Sequence, residues 1–334
     1  MKKTYIIAEA GVNHNMDYDI AIKLIDNAKL CGADAIKFQA TIPEELMTIQ
    51  AKQSQYQIKN FKSSSQLEMA KKLFFDNDVF IDLKKYCDYK NIEFMCSPFD
   101  QISMSFLLKT IKPKKMKIAS GEILNTPMLD LLKNYKGDII ISSGMSTLTD
   151  IRYCLNILKR NGIDKDKITI LHCHTDYPTK LTDVNLSAML DIKNKFKTKI
   201  GYSDHTLGIE IPVAAVALGA DIIEKHITID KMLPGPDQSS SLDIIEFKEM
   251  VKLIRNIELS IGDGIKKPRK NELKNSQDVK KSIVAKKEIR IGETFSVDNI
   301  TTKRPDRGIS SRDWDRIIGK KSKYFFNKDD FIKL

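Results

Sequence analysis

Short apolar runs alternate with amphipathic stretches along the chain. The runs "TYIIAEA" (4–10), "ADAIKFQ" (33–39), "IEFMCSPF" (92–99) and "KMKIAS" (115–120) predict four strands. "DIIISSG" (138–144), "ITILHCH" (168–174), "KIGYSD" (199–204) and "ADIIEKHI" (220–227) predict four more. Most of the segments between them have helical length; in one, Ile151, Cys154, Leu155 and Leu158 share a face. The strand runs do not alternate apolar with polar, which points to burial on both faces, as in a parallel sheet. Eight such units over roughly 260 residues predict an α/β fold, a (β/α)8 barrel. The runner-up is an open doubly wound sheet, but "EAGVNHN" after the first strand is not the glycine-rich turn that fold prefers.

Two intervals break this rhythm. Residues 40–91 are too many for one crossover, so they predict an insertion on the second βα loop, with helices in "LEMAKKLFF" and "FIDLKKYCDYK". Long loops at that end of a barrel commonly serve the site. Near 262–282 the chain turns polar and basic, and beyond it come short β-like runs with turns at Gly292 and Gly308. The organisation expected is a barrel over 1–265, a linker over 266–282 and a small domain over 283–334. A segment that short buries little core alone, so it is expected to lean on a barrel or a partner subunit.

Composition narrows the function classes. The net charge of +11 is spread among acids along the chain, without the basic, aromatic-studded patch nucleic acid requires. No run approaches the ~20 apolar residues of a membrane span. "MKKTYIIAEAG" has only "YIIA" as an apolar stretch before Glu9, which reads as a first strand and a cytoplasmic protein rather than a leader. The five cysteines are odd in number and form no C-x-x-C, so reduced thiols are expected.

Barrel chemistry collects at the C-terminal strand ends. Reading those ends in order gives Glu9, Asn13 and His14; Lys37 and Gln39; Ser97 and Phe99; Lys117, Ser120 and Glu122. The remaining strands give Ser142 and Ser143; His172, His174 and Tyr177; Ser203, Asp204 and His205; Glu224 and His226. Lone ammoniums after apolar residues are costly. Lys37 and Lys117 therefore either grip a phosphate, helped by Ser120, Ser142 or Ser143 and Ser203, or pair with Glu9 or Glu122. His205 and His226 end adjacent strands, close enough to share a divalent ion with oxygen ligands. Asp204 and Glu224 would support them, and His172 with His174 is an alternative pair. "LPGPDQSSS" presents Asp237 on a proline-rich turn beside that ion.

Taken together, "IIAEAGVNHN", "GADAIKFQ", "SPFD", "KIASGEI", "ISSGM", "LHCHTDYPT", "GYSDHT", "IEKHIT", "PGPD" and "TTKRPDRGIS" resemble the sialic acid synthase family over nearly the whole chain. The resemblance implies a barrel followed by a C-terminal antifreeze-like (SAF) domain, in a domain-swapped homodimer. It implies condensation of phosphoenolpyruvate with an N-acyl mannosamine-type sugar. N-Acetylmannosamine, giving N-acetylneuraminate, is the first reading of the acceptor. A 2,4-diacetamido-2,4,6-trideoxy-mannose, giving legionaminate, is the alternative, and a metal-dependent pyruvate aldolase a more distant one. His205 and His226 would hold Mn²⁺, or Mg²⁺ or Co²⁺ in its place. Lys37, Lys117, Ser97, Ser120, Ser142 or Ser143 and Ser203 would hold phosphoenolpyruvate. Glu9, Gln39, Glu122, Tyr177 and Asp237 would face the sugar or the reacting carbons, with Glu9 or Glu122 catalytic. Arg304 would reach the acyl group of sugar bound in the other subunit. The chain departs from the family at Met16, where glycine is usual, and at His174 and Thr175.

Overall fold

The computed structural model describes residues 3–61, 63 and 65–334, with backbone alone at Tyr56 and Lys59; Met1, Lys2, Lys62 and Ser64 lie outside it. The chain divides into two compact units, 1–262 and 263–334.

In the first unit all eight expected strands form: β1 (Tyr5–Gly11), β2 (Ala35–Ala40), β3 (Glu93–Pro98), β4 (Lys115–Ile118), β5 (Asp138–Ser142), β6 (Ile168–Cys173), β7 (Lys199–Asp204) and β8 (Ile222–His226). They join in the order β3-β2-β1-β8-β7-β6-β5-β4, every paired ladder parallel. β3 and β4 come together where the ring closes. This is a (β/α)8 barrel.

Each strand is two-sided. On β1, Ile6, Ala8 and Ala10 join the large core under the helices, whereas Ile7 belongs to a separate cluster with Ala35, Met95, Ile140, Leu171 and Ile222. That second cluster is the middle layer of the barrel interior. Below it Tyr5 donates to Glu93 at 2.7 Å, and Lys115 reaches Glu93 at 2.8 Å. Above it, two residues further along each strand, the interior turns polar: Glu9, Lys37, Ser97, Ser142 and Glu224. The period of two along a strand carries each chain from the apolar layer to the site in one step. Gly201 occupies the middle layer on β7. A Cβ there would lie 2.3 Å from the Ile222 carbonyl oxygen and 2.6 Å from Leu171, so the ring closes at this point only around a hydrogen.

The insertion between β2 and β3 contains the helices Pro43–Leu46, Gln55–Asn60, Gln66–Lys71 and Val79–Lys90. The last two follow the apolar periodicity. The first two do not announce themselves, one being a single turn and the other, "QYQIKN", lacking an apolar stripe. After β1, Asn15 and Met16 take φ of 49° and 59°. Met16 thus holds the left-handed backbone that glycine adopts without cost.

In the second unit β9 (Ser282–Ala285) pairs antiparallel with β10 (Ile300–Lys303). Around them Ile283, Ile289, Phe295, Ile300, Ile317, Phe326 and Ile332 form a small core of their own. The stretch 266–282, read as a linker, contains the helix Lys270–Val279 and is tied to this unit by Asp306 N–H donating to the Gln277 carbonyl.

Candidate active site

At the C-terminal mouth of the barrel the inward residues of all eight strands surround one cleft. Its wall includes Glu9, Lys37, Gln39, Ser97, Lys117, Ser120, Ser142, Tyr177, Ser203, His205 and His226. The floor is a buried charge cluster. Lys37 Nζ lies 2.7 Å from Glu9 and 3.8 Å from Glu224, and donates to Ser97 Oγ at 3.1 Å. Lys117 donates to Ser142 Oγ at 2.7 Å and lies 3.5 Å from Glu224, which also accepts from Ser203 Oγ at 3.0 Å. Both lysines line the cleft and both have carboxylate partners, as the second sequence reading expected. The partner of Lys117 is Glu224, not Glu122.

Burial sets the charges here. It drives the Lys117 ammonium below its ordinary pKa, and Glu224 only partly offsets this. Lys37 is raised: burial opposes its charge, but Glu224 and Glu9 outweigh it. Glu9 is raised, chiefly by burial and against the pull of Lys37. Glu224 is lowered, because Lys117 and Lys37 together overcome the burial penalty. Of the two carboxylates, Glu9 is the one that takes a proton readily.

His205 and His226 stand above this floor with ring centroids 5.6 Å apart. The carbonyl of His174 engages His205 Nδ1, which leaves Nε2 toward the cleft, 2.9 Å from the Tyr177 hydroxyl. Tyr177 stacks on His205 at 4.1 Å. His226 Nδ1 is buried without a hydrogen-bond partner. Burial holds His205 down to about 4 and His226 well below its ordinary value, so both are neutral bases. Among the described residues no third His, Cys, Asp or Glu converges on a common ion position with them. The expected supporting roles of Asp204 and Glu224 are corrected. Asp204 points away from the cleft and pairs with the fully buried Lys225, and Glu224 serves the lysines. His172 is no ligand either, since its Nε2 bonds the Val184 carbonyl at 2.9 Å.

Four expected residues lie off the cleft wall. Glu122 is buried on a short turn and takes a 2.6 Å hydrogen bond from Asn125. Ser143 Oγ donates to the Leu171 carbonyl at 3.0 Å. Asp237 lines an adjoining chamber that shares Gln39, Phe99 and Tyr177 with the cleft. Burial, reinforced by Glu9, pushes it up to about 7. Arg304 is exposed in the second unit, just after β10.

The model of the NeuB family matches residues 24–266. The chain belongs to the NeuB family. The SAF domain model matches residues 280–334, so a SAF domain follows the barrel. The chain is 46% identical over its whole length, and all of the relative's, to the N,N'-diacetyllegionaminic acid synthase of Campylobacter jejuni. It is 40% identical to the protein of the same name from Legionella pneumophila, over 94% of this chain and 89% of that one. Among solved structures, N-acetylneuraminic acid synthetase from Leptospira borgpetersenii aligns with a TM-score of 0.70 at 34% identity, covering 82% of this chain and 90% of that one. This NeuB-family chain is an enzyme, a synthase like its relatives.

Strand-end reading passed over Cys173 and Thr175 as cleft residues, and it placed Glu224 beside the wrong partner. The signal was present. Each occupies the inward row, two or four residues beyond the middle layer at Leu171 and Ile222. Met145 and Gly121 come from loops, and no strand periodicity points to them.

Proposed function

We propose that this enzyme condenses phosphoenolpyruvate with a 2,4-diacetamido-2,4,6-trideoxy-mannose to give N,N'-diacetyllegionaminate and phosphate. The relatives at 46% and 40% identity carry that acid's name, whereas the solved N-acetylneuraminic acid synthetase stands at 34%. This moves the favoured acceptor from N-acetylmannosamine to the alternative held second in the sequence. The observation carrying the chemistry is the cleft floor: two buried ammoniums, each with a serine hydroxyl, below two neutral imidazoles.

In this reading Lys37 and Lys117 hold the phosphate, with Ser97, Ser142 and Ser203 completing its hydrogen bonds. Positioning and fixed charge then do most of the catalysis. The enol carbon attacks the open-chain sugar's aldehyde, and positive charge develops at C2. Glu9, 2.7 Å from Lys37, would stand beside that carbon. Its raised pKa suits it to accept the proton of the water that adds at C2, after which phosphate leaves by C–O cleavage. Glu122 is left out of this scheme, since its carboxylate is engaged by Asn125 at 2.6 Å.

The two imidazoles fit a divalent ion, with water and substrate supplying oxygen ligands: His226 Nδ1 is orphaned, and His205 is oriented through its other nitrogen. Manganese, or Mg²⁺ or Co²⁺, bound there would supply Lewis-acid polarisation of the aldehyde oxygen. Chelation should abolish turnover and Mn²⁺ restore it. His205→Ala and His226→Ala should stay folded but fail to bind the ion by calorimetry. Full activity in metal-free protein would remove the metal from the scheme.

The reaction itself is tested by mixing enzyme, phosphoenolpyruvate and acceptor in ¹⁸O water. Phosphate should be released unlabelled and the keto acid labelled. Label in the phosphate would reject C–O cleavage. Product formation from pyruvate without phosphate release would favour the aldolase instead.

A further inference from the structure

His205 and His226 lie one residue beyond the last rung that joins their strands, because the β7–β8 ladder ends at Asp204 opposite Lys225. His226 keeps a partner on its other side. It stands in register with Glu9 of β1, and its carbonyl accepts from the Leu242 amide at 3.0 Å. His205 lies past the end of β7, where its carbonyl accepts from the Thr179 amide at 2.9 Å. That bond ties it to the segment after β6, not to β8. The spacing of the two imidazoles therefore depends on what holds residue 205 against β8.

A buried ion pair does so. Asp204 and Lys225 fall on the outward rows of their strands, two residues beyond Tyr202 and Ile223 of the core under the helices, and their side chains are fully buried. Lys225 Nζ donates to Asp204 Oδ2 at 2.5 Å and, past the end of the ladder, to the Thr206 carbonyl at 2.5 Å. The Asp204 carboxylate accepts from the Thr206 amide at 3.2 Å and from its hydroxyl at 2.9 Å. The residues on both sides of His205 are thus clasped, and the ammonium that clasps them belongs to the residue before His226. The ring nitrogens of His205 go to the His174 carbonyl and the Tyr177 hydroxyl, so the clasp acts on it through the backbone. Enclosing two charges in an apolar layer brings little or no net stability. What this pair supplies is a fixed relation between two strand ends.

We propose that Lys225, Asp204 and Thr206 are positioning residues that set the spacing of His205 and His226, and thereby the affinity of the ion site. The assignment rests on the divalent-ion reading above and adds the residues that hold its two imidazoles in place.

The test titrates Mn²⁺ into metal-free protein by calorimetry, with His205→Ala as the blank. Asp204→Asn combined with Lys225→Met removes both charges at nearly constant volume, so neither is left buried and unpaired. The Kd of this double variant for Mn²⁺ should rise about tenfold to a hundredfold, the range for residues that orient a metal's ligands. Its KM for phosphoenolpyruvate at saturating Mn²⁺ should stay unchanged, which a general loosening of the barrel would not allow. Thr206→Val keeps both charges and removes the hydroxyl alone, and its Kd should rise by a smaller factor. Wild-type affinity in the folded double variant, with or without a lowered Tm, would overturn this assignment alone and make the pair a purely structural one. Where the double variant does not fold, an unchanged Kd in Thr206→Val would overturn it. Wild-type protein that takes up no more Mn²⁺ than the blank would sink the ion reading, and this assignment with it.

Discussion

Lys117 is the side chain on which the proposed phosphate site is tested most directly. Its ammonium is buried, bonded to Ser142 and depressed in pKa, and in the proposed reaction it is a holder of the phosphate. Lys117→Met fills the same space without the charge. It should lower Tm, because Glu224 is left buried with Lys37 alone, 3.8 Å away, and raise the KM for phosphoenolpyruvate roughly tenfold to a hundredfold, the loss of one charge-assisted contact of about 1.5–3 kcal/mol. A rise in the sugar KM instead would mean that the two sub-sites are reversed. His14 illustrates tuning for the fold. It stacks on Phe75 at 4.1 Å, its Nδ1 accepts from the Met16 amide, and burial pushes it down to about 3. Because the folded value lies below the unfolded one of about 6.5, the unfolded chain binds the extra proton first, and stability falls as pH drops through 6.5. Buried carboxylates such as Asp237, raised rather than lowered, work in the opposite direction. Comparison with His14→Phe isolates the effect. The stability difference between wild type and variant in urea melts should shrink on acidification by up to about 1.4 kcal/mol per pH unit below 6.5. A difference independent of pH would show that folded His14 takes up protons freely.

Strands and loops divide the labour among elements. The eight strands supply rigid positions for the floor and rim, and the β1–β2 ladder shifts register between Glu9 and Gly11, beside the cleft. Gly201 is the position where strand packing leaves least room. Gly201→Ala would press a methyl onto the Ile222 carbonyl at 2.3 Å, contact with backbone that cannot swing aside. The expected cost is at least the 1–3 kcal/mol typical of overpacking, read as a lowered urea midpoint with loss of activity following stability. An unchanged midpoint would mean that β7 and β8 part easily, contrary to their ladder. The first two insertion helices have little periodic signal of their own, and Asn60 at the end of the second is tied to the Pro236 carbonyl.

For the molecule as a whole, the open question in the proposed reaction is how the SAF unit takes part. Its β9–β10 hairpin has a separate core, and Arg304 follows it as an exposed guanidinium, a fixed fork suited to an acyl carbonyl. We expect it to serve the barrel of a second copy. Arg304→Ala should raise the KM for sugar and spare that for phosphoenolpyruvate. Mixed with Lys117→Ala subunits under conditions of verified exchange, it should regain activity, because one site in each heterodimer would hold an intact barrel and an intact arginine. No recovery above either parent would place Arg304 in its own subunit's site or in none.

The barrel was legible in the sequence because strand and helix periods are local, and buried parallel strands leave apolar runs that do not alternate. The cleft residues on strands were legible for the same reason: Glu9, Lys37, Ser97, Ser142, His205 and His226 follow the middle layer at steps of two or four. Partnership was not legible. That Glu224 serves two lysines and that Asp204 turns outward to Lys225 depend on contacts between distant segments. The place of the insertion depends on such contacts as well, since the tie from Asn60 to the Pro236 carbonyl spans 176 residues.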